Sequence, residues 1–269
     1  MTIVVFAGPS LPVGERAAID ADICWRPPAR HGDVYRAARE RPAAIGLIDA
    51  VFETVLTVWH KEILWALASG VPVWGAASMG ALRAVELGRF GMRGVGVVFE
   101  LYRDGVLRDD GDVAVLHAPE ELGFRPLTEA LVDARATLLA AAEQGLLLRE
   151  QADALIREAS GIFFKDRTWD AILARAAPDV AQRLRRWLPA GRIEQKRRDA
   201  RAMIAAMRER PAAPPEAAEA WTFAATGIWQ RARRRMEAEH MPGLDPTKSG
   251  GDGGLGGGGD VGGDAGVGL

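Results

Sequence analysis

The chain has 269 residues, enough for one large domain or two small ones. Hydrophobic residues make up 48 % of it and the formal net charge is −2, so a sizeable core is available and wholesale nucleic-acid binding, which needs excess positive charge, is not expected. A single cysteine, Cys24, excludes an intrachain disulfide and a CxxC-type metal cluster. The start "MTIVVFAGPS" has no signal-peptide pattern, and no stretch approaches the roughly 20 apolar residues of a membrane span.

In chain order, "TIVVFAG" (2–8) reads as a strand ending in Gly-Pro and "DICWR" (22–26) as a weaker strand. "GDVYRAARER" (32–41) is a helix that ends near Pro42, and "AAIGLIDAVF" (43–52) is a strong strand with Asp49 at its carboxyl end. Leu56, Trp59, Ile63, Leu64 and Leu67 recur at helical spacing. They predict a helix over 57–69, with Thr57 as N-cap and Gly70 as C-cap. "VPVWGAA" (71–77) is the next strand, "SMGALRAVELG" (78–88) the next helix, and "VGVVFELY" (95–102) a further strand. Strands alternating with helices predict an α/β fold, a parallel Rossmann-like sheet flanked by helices.

After residue 125 the pattern becomes helical: 127–147, 168–188, an Arg-rich stretch 185–211, and 221–241. The expected organisation is an α/β core over 1–140, a helical region over 141–241, and a Gly/Asp-rich tail over 242–269. Such a tail buries too little to order itself. The basic residues from Arg183 to Arg201, Lys196 among them, read as a solvated helical face or as a docking surface for an acidic partner.

Ligands of such sheets bind beyond the carboxyl ends of the strands. Three segments fall on that rim: "GPSLP" with Ser10, "IDAVFE" with Asp49 and Glu53, and "GAASMG" with Ser78, Met79 and Gly80. Ala76-Ala77-Ser78-Met79-Gly80 resembles the G-x-S-x-G nucleophile elbow, with Ala for the first Gly. The plainer alternative is that Ser78 caps the following helix. A serine nucleophile needs a base. "WHKE" (59–62) offers His60, on the apolar stripe with Leu56 and Leu64 and so expected to face inward. It also offers Lys61, beside Trp65, where desolvation would favour the neutral amine. His117 is a second imidazole. A carboxylate at a buried strand end, Asp49, needs a partner or a function. Arg83 and Glu86 are spaced to pair with each other. Asp109, Asp110 and Asp112 sit in a turn that reads as solvated. Neither a phosphate loop nor a GxGxxG after the first strand is present, so no cofactor is assigned.

These residues add up to a resemblance. "GPSL" (8–11), "PPARHGDVYRA" (27–37), "IGLIDAVFE" (45–53), the long block 58–92, "GVGVVFELYRDG" (94–105), 112–138 and "EQKRRDA" (194–200) resemble the TfuA-like family. Ala50 stands where the family pattern has Gly, and Gly111 interrupts an acidic run. The resemblance implies a role beside a YcaO-type enzyme in peptide backbone thioamidation. It implies release of sulfide from a thiocarboxylated, ThiS-like sulfur carrier, and the modified precursor peptide is a further candidate partner. The charge balance and the lack of a signal-peptide or membrane-span pattern lead to the expectation of a cytoplasmic protein with no membrane or nucleic-acid partner. On the sulfide-release reading Ser78 is the nucleophile or a substrate ligand, and His60 or Lys61 the base, with Asp49 beside them. The backbone N–H groups of Met79 and Gly80 would hold the oxyanion, and Ser10, Glu53, Arg83 and His117 would line the substrate groove. The competing reading from the same residues is a non-catalytic partner that docks the carrier or activates the YcaO enzyme.

Overall fold

The computed structural model describes residues 2–19, 22–51, 56–209 and 220–238. Five strands, β1 (Ile3–Phe6), β2 (Ile23–Arg26), β3 (Ala44–Leu47), β4 (Val73–Ala76) and β5 (Arg93–Val95), form one parallel sheet in the order β2-β1-β3-β4-β5. The helices among them are α1 (Val13–Ile19), α2 (Asp33–Arg39), α3 (His60–Ala68), α4 (Met79–Leu87) and α5 (Val97–Arg103). Beyond them come α6 (Leu131–Glu143), α7 (Arg149–Ser160), α8 (Trp169–Leu173), α9 (Pro178–Gly191), α10 (Gln195–Glu209) and α11 (Gly227–Ala238). The α/β sheet flanked by helices is as the patterning predicts. Glu53 and the tail over 242–269 lie outside the described residues.

The central strands are apolar throughout because both faces of the sheet are covered. Along β1, Val4 and Phe6 point into a core shared with α2, α3 and α4, while Val5 joins the opposite core. That second core is closed by α10, whose Ala200, Met203, Ile204 and Met207 lie against Val5, Ile48 and Trp74. Gly46 makes room for this helix: a Cβ there would stand 2.9 Å from Met203 Cε and 3.0 Å from Met207 Sδ. The segment 195–209 is therefore a layer of the sheet, although it follows β5 by a hundred residues.

The order β2-β1-β3 means that the chain leaves β1 in one direction and returns on its other side at β3. In doubly wound sheets this reversal opens a crevice at the carboxyl ends of the two strands. Gly8–Leu11 follows β1 and Asp49 follows β3, so both border it.

Two local readings differ from the structure. The run 95–102 is not one strand. β5 ends at Val95, Gly96 takes φ 96, and α5 begins at Val97. Apolar runs of this length suit a strand or a helix equally. Here Asp199, reaching over from α10, decides: its Oδ2 accepts the Val98 N–H at 2.7 Å at the new helix N-terminus. A Cβ on Gly96 would lie 2.4 Å from the Asp199 Cγ. The second difference is the start of α3, which is capped at Trp59, not Thr57. Thr57 is held in a bridge to Arg30, and Glu62 reaches back to the Trp59 N–H at 3.2 Å. Gly70, with φ 81, follows the end of the helix as expected.

Candidate functional site

The crevice is a cavity of about 480 Å³. Pro9, Asp49, Ala50, Val51, Ser78 and Met79 line it from the strand ends. Val113–His117, Pro119–Glu121 and Phe124 form a facing wall; Phe164 and Lys165 come from the loop after α7, and Lys196 from the first turn of α10. All three rim segments singled out in the sequence reach this one space.

Asp49 is 2 % exposed and fully engaged. Its Oδ2 accepts the N–H groups of Gly8 (2.8 Å) and Ser10 (3.1 Å), and its Oδ1 accepts the Ser10 hydroxyl at 2.6 Å. From the other side Arg16 donates to the carbonyls of Leu11 (3.0 Å) and Gly8 (3.3 Å). The "GPSL" loop is thus clamped between a carboxylate and a guanidinium. Gly8 is required because a Cβ would meet Pro28 Cγ at 2.4 Å. Asp49 and Ser10 together fix the shape of the crevice.

Ser78 stands on a strained corner. Ala77, a non-glycine residue, has φ 67, and the Ser78 N–H donates to Ala76 O at 2.7 Å, closing a three-residue turn. The small residues around it answer to packing, for a Cβ on Gly80 would lie 1.8 Å from Leu47 O and one on Gly75 2.1 Å from Gly80 O. Helix α4 therefore crosses the strand ends at backbone contact. Ser78 occupies the N-cap position of α4, yet its side chain makes no cap hydrogen bond. The hydroxyl is left to the cavity. Of the two backbone donors expected at an oxyanion, Gly80 N–H is already bonded to Ile48 O at 3.2 Å, so only the Met79 N–H remains open among the described residues.

The imidazoles divide. His60 is not turned inward: its side chain is 41 % exposed, and Nε2 pairs with Glu86 Oε2 at 2.8 Å. Leu56, the reference for that expected stripe, is also exposed. Arg83 NH1 meets the same Glu86 oxygen at 2.6 Å, as the spacing predicts. Burial pushes Glu86 up, but the hydrogen bonds from His60 and Arg83 outweigh it and hold the carboxyl below its ordinary value. Lys61 donates to Ala224 O at 2.7 Å and covers the Phe223 ring at 4.7 Å. His60, Lys61 and Arg83 are not lining residues of the cavity.

His117 is a lining residue. Its Nδ1 lies 2.8 Å from Ala118 O, which can only accept, so Nδ1 carries a hydrogen, and in the neutral ring Nε2 is the atom with the lone pair. An edge-on contact with Phe124, 5.7 Å between ring centroids, holds the ring in place.

The acidic turn spends its carboxylates on itself. Asp109 Oδ1 accepts Gly111 N–H at 2.7 Å, and Asp112 Oδ2 accepts the N–H groups of Arg108 and Asp109 at 3.1 and 3.2 Å. Asp110 borders the cavity, and burial together with its neighbour Asp109 raises it above the usual carboxylate range. No cluster of three metal-ligating side chains occurs among the described residues.

Lys196, Arg30, Lys165 and Asp110 line the cavity without having been picked out as site residues. For Lys196 a signal existed: it begins the stripe Lys196, Ala200, Met203, Ile204, Met207, so it shares the buried face of its helix.

The family model described as TfuA-like protein matches residues 49–168. Over that span the chain belongs to the TfuA-like family. The TfuA-like span takes in Asp49, Ser78 and His117, and leaves Ser10 and Lys196 outside it. No curated protein matches the chain.

Proposed function

We propose that this TfuA-like protein works beside a YcaO-type enzyme, hydrolysing the thiocarboxylated end of a ThiS-like sulfur carrier to supply sulfide for peptide backbone thioamidation. Membership of the TfuA-like family supports the association with YcaO-dependent thioamidation. The observation that carries the hydrolytic part is the uncapped Ser78 hydroxyl on its strained corner, in a cavity that His117 also lines. A thin chain end fits a crevice floored by Ala50, Ser78 and Pro9. The reaction converts R–COS⁻ and water to R–COO⁻ and H₂S. Ser78 Oγ attacks the carbonyl carbon and His117 Nε2 receives its proton; the C–S bond then breaks and His117 hands that proton to the departing sulfur, which leaves as hydrosulfide and returns the imidazole to its neutral form. Water then opens the ester, with His117 as base again. The Met79 N–H at the start of α4 stabilises the oxyanion.

The test mixes full-length protein with thiocarboxylated carrier, without a YcaO enzyme, and follows sulfide release and carrier mass. Wild type should yield the carboxylate, Ser78→Ala should lose at least a hundred-fold in rate, and His117→Gln a comparable amount. Equal rates in wild type and Ser78→Ala would remove Ser78 from the chemistry.

One observation favours a second reading. Ser78 Oγ has no hydrogen-bond partner among the described residues, and Asp49 is committed to its loop. On that reading the crevice docks the carrier or the YcaO enzyme without reacting. Retained partner binding together with absent sulfide release from wild type would decide for it.

A further inference from the structure

Lys196 differs from every other charged group of the cavity. It is 3 % exposed, and its Nζ donates a single hydrogen bond, 2.6 Å to Val113 O. An ammonium carries three donors. Among the described residues Lys196 has no second acceptor and no carboxylate at ion-pair distance. The buried Asp133 carboxylate attracts it through space but takes no hydrogen bond from Nζ, and buried donors left unfilled are costly and concentrate where a ligand completes them. The other deep charge, Asp49, has both oxygens occupied by Gly8 and Ser10. Arg30, Lys165, Glu120 and Glu121 are exposed at the mouth. Among the described residues Lys196 is therefore the one charge on the inner wall with donors to spare.

Its position is also well determined. The Lys196 backbone N–H donates to Asp133 Oδ1 at 2.9 Å, which ties the first turn of α10 to α6, and the Val113 carbonyl orients the ammonium. Behind it lies a second space of about 30 Å³, bordered by Ser10, Glu129, Asp133 and Arg192. Lys196 thus borders both this small charged space and the crevice that Ser78 lines.

We propose that Lys196 receives the anionic end of the substrate: its ammonium pairs with the chain-terminal carboxylate or thiocarboxylate that enters the crevice. This rests on reading the crevice as the seat of a chain end. The contact has a chemical consequence. A thiocarboxylate is an anion and resists a nucleophile. An ammonium at hydrogen-bond distance draws its charge onto one atom and leaves the carbonyl carbon more open to attack. The contact also sets specificity, because an amidated chain end would leave the buried ammonium unpaired.

The experiment titrates full-length protein with two synthetic peptides that end in Gly-Gly, one with a free carboxylate and one with a carboxamide, and measures Kd by calorimetry. Wild type should bind the carboxylate at least ten-fold more tightly. Lys196→Met should lose that preference and keep the affinity for the amide, and Lys196→Arg should retain most of the preference. A preference unchanged in Lys196→Met overturns the role of Lys196 and leaves the crevice as the seat of a chain end. Wild type that binds neither peptide overturns both. Should Lys196→Met fail to fold, wild type labelled with ¹⁵N-lysine gives the same answer. The lysines are Lys61, Lys165, Lys196 and Lys248, so the ammonium spectrum is simple. The carboxylate peptide should shift the signal of the buried lysine and the amide peptide should not. An identical response to both peptides overturns the proposal.

Discussion

Glu62 shows how one side chain ties stability to pH. It is fully buried at the start of α3, 3.2 Å from the Trp59 N–H, 3.4 Å from the Tyr35 N–H and 3.3 Å from His31 Nδ1. Burial raises its carboxyl from 4.5 to about 7, against the backbone N–H groups that favour the charge. The native state then keeps a proton that the unfolded chain has already lost between pH 4.5 and 7. Stability therefore falls as pH rises through that window and is level on either side, a loss on the order of 3 kcal/mol. Denaturant melts of wild type and Glu62→Gln across this range should diverge by that slope. Parallel curves would mean that Glu62 is ionised throughout. Residue by residue, legibility in the sequence followed burial. Asp49 could be picked out because a carboxylate at a buried strand end needs partners, and it has three. His60 faces outward, against the expectation from its stripe, because Leu56, which anchors that stripe, is itself solvent-exposed. Lys196 is hard to tell from the arginines around it by charge, and only the apolar periodicity of α10 sets it apart as buried.

At the scale of elements, the sequence is legible where a pattern has one structural solution. Fully apolar four-residue runs bounded by turns became β1, β3 and β4, and the small-residue corner before α4 became a close crossing of strand ends. It is illegible where a distant residue casts the deciding vote. The run after Gly94 turns helical at Val97 because Asp199, a hundred residues later, occupies its N-terminus. Removing that carboxylate should isolate its contribution. Asp199→Ala is expected to lower stability by about 2 kcal/mol, the loss of a buried charge-assisted cap. Hydrogen exchange at Val98 should rise more than in β1 or β3. Uniform change across the sheet would show that Asp199 acts through α10 and not through α5.

For the whole molecule, α10 is decisive. One face of the sheet is covered by α2, α3 and α4, the other mainly by α10, with Ile19 of α1 at its edge. A chain ended at residue 190 keeps every strand and every motif of the TfuA-like span but leaves Val5, Ile48 and Trp74 without their cover. It should bind a hydrophobic dye and lose cooperative unfolding. A sharp transition at the full-length temperature would show that the sheet needs no such cover.

The same helix carries Met207 on the sheet at one end and Lys196 in the crevice at the other. On the ribosome the strands, the serine corner and the clamped loop are all made long before this segment emerges. Completion of the crevice is thus deferred until about a hundred residues after β5 have been made, and a nascent chain short of α10 holds Ser78 in a crevice without its buried lysine. Pairings of such long sequence separation also form slowly. The interval between synthesis and competence is set by the docking of one late helix.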